Sequence, residues 1–390
     1  LIYLDNAATS FPKPPAVIAA MVRFQKEVGA NAGRSGHRLS IEAGRILFET
    51  REGLARLFGI RDSSRVIFGM NATDALNLAI YGVLRAGDHV LTSSMEHNSV
   101  MRPLRNLEKA GLQITVLPCS PEGLLDPGDV SRNTRVNTRM CILNHASNVV
   151  GTIQPIAEVG RICREKGILF LLDAAQTAGA LSFQMADACI DLLAFTGHKA
   201  LWGPQGTGGL ILGAEMDEGR ISPIRQGGTG SRSEFEEQPD FLPDRLESGT
   251  PNGIGLAGLL AGLNFLQEKG VEEIRRHEMA LADRLWRGLS EIPGVTLYGP
   301  PNPAHRVAVV SFTLENLSPS EVALRLDEEF GILCRSGLHC APSAHRTIGT
   351  FPEGTVRLSP AYFNTPDEID SAIQAVAHLA REKPWTNARV

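Results

Sequence analysis

The sequence predicts an α/β protein, with a large and mostly parallel sheet followed by a smaller α+β unit, on three observations. Seven short apolar runs recur between residues 60 and 212. Segments of helix length separate most of them, and alternation of that kind argues a parallel sheet covered by helices on both faces. After Thr250-Pro251-Asn252 the pattern changes to one long helical stretch, then to short strands and two more helices.

The runs lie at residues 66–68, 90–92, 114–117, 140–143, 168–172, 192–195 and 209–212, each apolar enough for a buried strand. Ile46, Leu47, Leu54, Leu57 and Phe58 give residues 39–58 an apolar helical face, and residues 157–166 are similar. A helical stretch over 254–289, broken near Gly270, precedes strands at 295–298 and 307–313. Helices at 319–329 and 366–381 and short strands near Ile332 and Val356 complete the tail. The polar segment 227–245 reads as a surface loop, with a lid or docking element as the alternative. The expected division is a large domain over 15–258 and a small domain formed by 1–14 with 259–390.

Composition narrows the function. The 390 residues suffice for a sizeable core and two to three units at about 150 residues each. The 38 Lys and Arg against 43 Asp and Glu give a net charge of −5 with no long run of one sign, which argues against nucleic acid and against an anionic membrane. No apolar stretch has bilayer length and the first residues lack a secretory pattern, so a cytoplasmic protein is expected. The six cysteines contain no CxxC and fit neither a disulfide framework nor a zinc site, so free thiols and no metal are expected. Gly253, Gly255 and Gly258 have dinucleotide spacing, but Ser248 to Asn252 before them is no strand, which rejects a nicotinamide site.

The strongest chemical signal is an apolar strand ending in Asp173, followed by a second strand ending in Thr196-Gly197-His198-Lys199. Open α/β sheets bind ligands at the carboxyl ends of their strands. An amine that forms an imine with an aldehyde, near an acid that keeps a pyridine nitrogen protonated, is what pyridoxal phosphate chemistry needs. Taken singly, Lys199 reads as a surface lysine and Asp173 as a helix cap. Asn71-Ala72-Thr73-Asp74, where a strand turns into a helix, makes either an anion cup or an ordinary cap.

Together with these residues, four separated motifs carry a family resemblance. They are Tyr3-Leu-Asp-Asn-Ala-Ala-Thr9, Asn144-His-Ala-Ser-Asn148-Val-Val-Gly-Thr152, Ser248-Gly-Thr-Pro-Asn252 and Val356-Arg357-Leu-Ser-Pro-Ala-Tyr-Phe-Asn-Thr365. Along nearly the whole chain the sequence resembles the class V branch of pyridoxal-phosphate aminotransferase-fold enzymes, and cysteine desulfurases in particular. The resemblance implies fold type I, as in aspartate aminotransferase, with pyridoxal 5'-phosphate as cofactor. Lys199 would bond the cofactor aldehyde and shuttle protons, Asp173 would face the pyridine nitrogen, Gln176 the phenolic oxygen, and His97 would stack on the ring. Asn71, Ala72, Thr73, Thr196 and His198 would hold the phosphate, joined by Thr250 from a neighbouring subunit, which implies a homodimer. Ala72 stands where many relatives have a second threonine. Arg357 suits a substrate carboxylate as a planar two-donor group, with Asn148 as a second donor, and His145 reads as structural.

Cys340 in Arg335-Ser-Gly-Leu-His339-Cys340-Ala decides among members. The segment resembles the Arg-x-Gly-x-His-Cys-Ala motif of the second, sulfur-mobilisation group. That likeness implies conversion of L-cysteine to L-alanine, with the sulfur held as a persulfide on Cys340 and passed to an acceptor protein, as in iron-sulfur cluster assembly, or released as sulfide. His339 and Arg335 are the candidates for favouring the thiolate. Segment 227–245 is short and acidic where relatives often carry a β-hairpin, so docking to a scaffold protein is not implied. A selenocysteine lyase acting on L-selenocysteine would use the same residues, whereas a class V aminotransferase would not need Cys340. A non-catalytic interaction protein has no physical need for Lys199, Asp173, Gln176 and Cys340 together.

Overall fold

The computed structural model describes residues 1–33 and 36–381. Strand β1 (Ile2–Tyr3) leads to helix α1 (Pro15–Arg23) and to α2 (Arg38–Phe58), which ends at Gly59 in a left-handed turn with φ 74°. The large sheet follows as β2 (Val66–Gly69), β3 (His89–Ser93), β4 (Gln113–Leu117), β5 (Thr138–Asn144), β6 (Leu169–Asp173), β7 (Leu192–Thr196) and β8 (Gly208–Leu212). Helices α3 (Ala72–Val83), α4 (Asn98–Glu108), α5 (Pro127–Asn133) and α6 (Ile156–Lys166) connect successive strands up to β6. The seven apolar runs expected from the sequence are these seven strands.

Their spatial order is β2-β8-β7-β6-β5-β3-β4, and every pairing is parallel except the two made by β8. Both faces are covered. Leu172, Leu193 and Phe195 point into a core shared with α2 and α6, while Leu171, Leu192 and Ala194 point into a second core with α3 and α4. That double burial explains why the strands read as unbroken apolar runs instead of alternating ones.

Helix α7 (Gly253–Lys269) lies against α1 and α2, and its glycines permit close backbone contact. A Cβ at Gly262 would sit 2.4 Å from the Leu201 carbonyl oxygen, and one at Gly258 would sit 3.0 Å from Pro204. The glycine spacing that imitates a dinucleotide motif therefore belongs to a helix pressed onto the segment just after Lys199. Leu259, Leu263 and Leu266 of α7 share the core of the large sheet, whereas Leu281, Leu285 and Leu289 of α8 (Val271–Ser290) belong to another core. Ile274 at the start of α8 still belongs to the core of the large sheet, so the chain changes core within α8, between Ile274 and Leu281, and residue 258 falls within α7.

That other core underlies a four-stranded antiparallel sheet in the order β12-β13-β10-β9, made of β9 (Val295–Tyr298), β10 (Val310–Leu314), β12 (Arg335–Gly337) and β13 (Thr355–Leu358). Helices α8, α9 (Pro319–Phe330) and α11 (Pro366–Arg381) cover it, and the short α10 (Pro342–Thr347) follows Cys340. Strand β1 pairs in parallel with β11 (Ile332–Leu333), and Leu4 enters the same core. Segment 227–245 contains turns but neither helix nor strand. No helix among the described residues is long and apolar enough to cross a membrane.

The contact at Gly262 gives a test. Gly262→Ala forces the helix and the Leu201 backbone apart, with an expected cost of about 1–3 kcal/mol. Thermal unfolding should show a lowered Tm, and an unchanged Tm would contradict the contact.

Candidate active site

The parallel register aligns three strand ends: Asn144 lies opposite Asp173, and Asp173 opposite Ala194. A cavity of about 290 Å³ opens there, lined by Asn144, Asp173, Thr196 and Lys199. The Asp173 Oδ1 accepts the Ala175 N–H at 2.9 Å. Burial pushes its carboxyl pKa up, opposed by that hydrogen bond and by the Lys199 charge. Burial lowers the Lys199 amine to about 8, with Asp173 opposing and Arg357 and Arg335 adding to the fall.

The N-terminal segment straps the lysine loop in place. Lys13 Nζ (2.7 Å), Ser10 N (3.1 Å) and Thr9 Oγ1 (3.2 Å) donate to the His198 carbonyl. Ser10 Oγ donates to the Lys199 carbonyl at 2.9 Å. Thr9, the last residue of the Tyr3–Thr9 motif, thus reaches the site by holding backbone, and Ala7 and Ala8 line the cavity.

On one side of the cavity stands the N-terminus of α3, with Asn71, Ala72 and Thr73 in the lining. Asn71 Oδ1 accepts the Asp74 N–H at 2.9 Å, so this oxygen caps the helix. Thr73 Oγ1 is 2.7 Å from Ser99 Oγ. Two neighbouring buried polar atoms, Thr196 Oγ1 and His198 Nδ1, have no protein partner. Buried polar atoms are ordinarily satisfied, so orphaned atoms beside a helix N-terminus fit an anion such as the cofactor phosphate. With an amine and a buried carboxyl across the same cavity, the donor set fits pyridoxal phosphate.

His97 and Gln176 also line the cavity. His97 Nδ1 accepts the Ser99 N–H at 3.1 Å, capping α4, and burial lowers its ring to about 4, so the ring is neutral at neutral pH. Gln176 Nε2 donates to the Ala7 carbonyl at 3.1 Å. His145 packs edge-on against Phe183 and lies outside the cavity lining.

Arg357, only 1% exposed, enters from β13. Its Nη2 donates to Asp5 Oδ1 at 2.6 Å and its Nη1 to the Asn148 carbonyl at 3.0 Å, while its buried Nε has no protein partner. The Asn148 amide, which the sequence offers as a second carboxylate donor, lines the cavity and donates to the His339 carbonyl at 2.8 Å, tying down the loop before Cys340. Sequence reasoning missed Asp5 as the partner of Arg357, although Asp5 belongs to the N-terminal motif. It also missed Glu96, which is fully buried, accepts from Ser93 Oγ and the Asn144 N–H, and is pushed by burial up to about 8.

Cys340 is exposed, alone among the six cysteines. It stands beside the cavity, its carbonyl accepting the Asn98 N–H at 2.8 Å and its Sγ 3.6 Å from Arg335 Nη2. Of the two candidates for stabilising a thiolate, Arg335 is therefore in place. The His339 ring turns inward instead, and burial with Arg357 lowers it to about 2, so it supplies no charge. Thr250 is exposed and borders a different cleft, with Arg51, Met70 and Thr229, outside this cavity.

Residues 2–371 match the family model for aminotransferase class V. The chain belongs to the class V aminotransferase family. Within class V it is similar to a probable cysteine desulfurase of Methanothermobacter thermautotrophicus, 35% identical over 97% of this chain and 94% of that protein. A probable cysteine desulfurase of Pyrococcus abyssi is 34% identical over 98% of this chain and 94% of that one. Among solved structures, an apo cysteine desulfurase from Thermococcus onnurineus NA1 superposes with a TM-score of 0.90 at 33% identity, covering 98% of this chain and 95% of that chain. An Escherichia coli cysteine desulfurase in its S-sulfonic acid form gives 0.85 at 27% identity, covering 96% and 94%.

The low amine pKa makes Lys199 testable without any substrate. Only the neutral amine attacks an aldehyde reagent to give an imine that borohydride reduces, so labelling of Lys199 should rise with pH through a midpoint near 8. A midpoint near the ordinary lysine value of about 10.4 would contradict the buried placement.

Proposed function

We propose that this chain is a pyridoxal 5'-phosphate-dependent cysteine desulfurase that converts L-cysteine to L-alanine and takes the sulfur onto Cys340. The observation that carries this reading is the exposed Cys340 thiol, 3.6 Å from the Arg335 guanidinium, beside a cavity that holds Lys199, Asp173 and Arg357. An aminotransferase needs the last three but gives no reason for an exposed thiol under an arginine.

When bound, the cofactor supplies an electron sink that makes the substrate Cα proton removable. The α3 N-terminus at Asn71, Ala72 and Thr73, with Thr196 and His198, would hold its phosphate. Asp173 would keep the pyridine nitrogen protonated, Gln176 would face the phenolic oxygen, and the neutral His97 ring would lie on the cofactor face. Lys199 Nζ would bond the aldehyde and, once displaced by the substrate amine, carry the proton away from Cα. Arg357 would bind the substrate carboxylate through its unpartnered Nε, with Asp5 holding the guanidinium in place. The Cys340 thiolate would then bond to the substrate sulfur as the Cβ–S bond breaks. The electron pair of that bond goes to Cβ, which takes up one proton to become the alanine methyl group. The exposure of Cys340 lets a reductant or an acceptor protein collect the sulfur. L-Selenocysteine would meet the same groups.

A homodimer is part of the proposal, with Thr250 completing the neighbouring subunit's phosphate site. The exposed Thr250 supports it, as do the exposed apolar residues Ile18 and Val22 on α1 and Ile41 and Phe48 on α2.

The test incubates cofactor-loaded protein with L-cysteine and a reductant and quantifies alanine and sulfide. Equal amounts are expected from the parent protein, and both should fall at least about a hundredfold in Cys340→Ala, as for loss of a nucleophile. Full activity in the variant would overturn the reading in favour of a route that does not use the thiol.

A further inference from the structure

His339 and Cys340 both adopt left-handed backbone conformations, with φ 48° and 59°. Each is unfavourable for a residue with a side chain, and persists only where surrounding contacts over-determine it. The Asn148 amide and the Asn98 N–H hold the two carbonyls. The Ala341 N–H closes the turn on the Leu338 carbonyl at 2.8 Å. A further restraint is a chain of buried side chains. His339 Nε2 lies 3.3 Å from the Arg335 carbonyl, His339 Nδ1 lies 3.3 Å from His345 Nε2, and His345 Nδ1 lies 2.7 Å from Thr350 Oγ1. The His345 side chain is wholly buried and touches neither the cavity nor Cys340's sulfur.

Proton positions along this chain follow from one end. A carbonyl only accepts, so His339 Nε2 carries the hydrogen. Burial and the facing charges of Arg357 on β13 and Arg335 on β12 keep His339 from taking a second proton, and burial lowers His345 to about 4. With both rings neutral, His339 Nδ1 accepts and His345 Nε2 donates to it. His345 Nδ1 then accepts from the Thr350 hydroxyl. The hydrogen bonds run in one direction, from Thr350 through His345 and His339 to the backbone of Arg335, whose guanidinium faces the Cys340 sulfur.

We infer that His345 is a positioning residue for the sulfur-accepting thiol: through His339 it fixes the strained His339-Cys340 backbone and the strand carrying Arg335, and so keeps guanidinium and Sγ together. This rests on the reading of Cys340 as the reactive thiol. Of the relay, His345 and Thr350 lie outside the motif that ends at Ala341, while His339 and Arg335 belong to it.

Alkylation of Cys340 by iodoacetamide, followed over pH on the cofactor-loaded protein, reads the thiolate without any turnover. His345→Phe removes the donor, so its profile should move to higher pH, with several-fold slower labelling at neutral pH. His345→Gln keeps an amide donor at the Nε2 position and should restore the parent profile. Should His345→Phe not fold, Thr350→Val removes the first donor of the relay and should move the profile in the same direction. Parent-like profiles in the folded variants overturn the inference. Because alkylation needs no L-cysteine, that result is distinct from a failure to form alanine and sulfide, which would overturn the desulfurase reading instead.

Discussion

The parallel register of β5, β6 and β7 is the constraint on which the rest depends. It sets Asn144 opposite Asp173 and Asp173 opposite Ala194, so that successive strands end at one level and release their loops into one cavity. A shift of one residue would send Asp173 to the other face of the sheet. The apolar side chains of all three strands fix that register from both faces at once. The core that holds the protein together therefore also fixes the spacing between the buried carboxyl and the lysine loop.

A second layer of restraint comes from parts of the chain far away in sequence. The N-terminal segment delivers Thr9, Ser10 and Lys13 to the backbone of His198 and Lys199, and Asp5 to Arg357. From the opposite side, α7 presses on residues 201–204 through its glycines. The lysine loop is thus held by hydrogen bonds in front and by close packing behind. Pre-organisation of this kind keeps the amine buried, and burial is the largest cause of its lowered pKa.

The large sheet was legible in the sequence because both of its faces are buried, which leaves an apolar run for every strand. Helix α10, of six residues, was not legible, because it is too short to show a helical period. Asp173 and Lys199 could be found because each follows directly on an apolar strand. Asp5, Glu96 and the His345 relay could not, since their importance lies in contacts made across long sequence separations or with their own neighbours' side chains. Asn148 and His339 show what a motif leaves out. Both line the cavity, and both also make hydrogen bonds that hold the Cys340 loop. Residue type and position in a motif indicate that a side chain matters, while its hydrogen-bond partners decide what it does.

Under the proposed reaction, a substrate held over Lys199 gives up its sulfur to the one exposed thiol beside the cavity. The decisive measurement is mass spectrometry of the Cys340 peptide after a single turnover of cofactor-loaded protein with L-cysteine, without reductant. One added sulfur atom on Cys340 is expected for each alanine formed, and none on the other five cysteines. Alanine formed while Cys340 stays unmodified, or sulfur found on another cysteine, would contradict it.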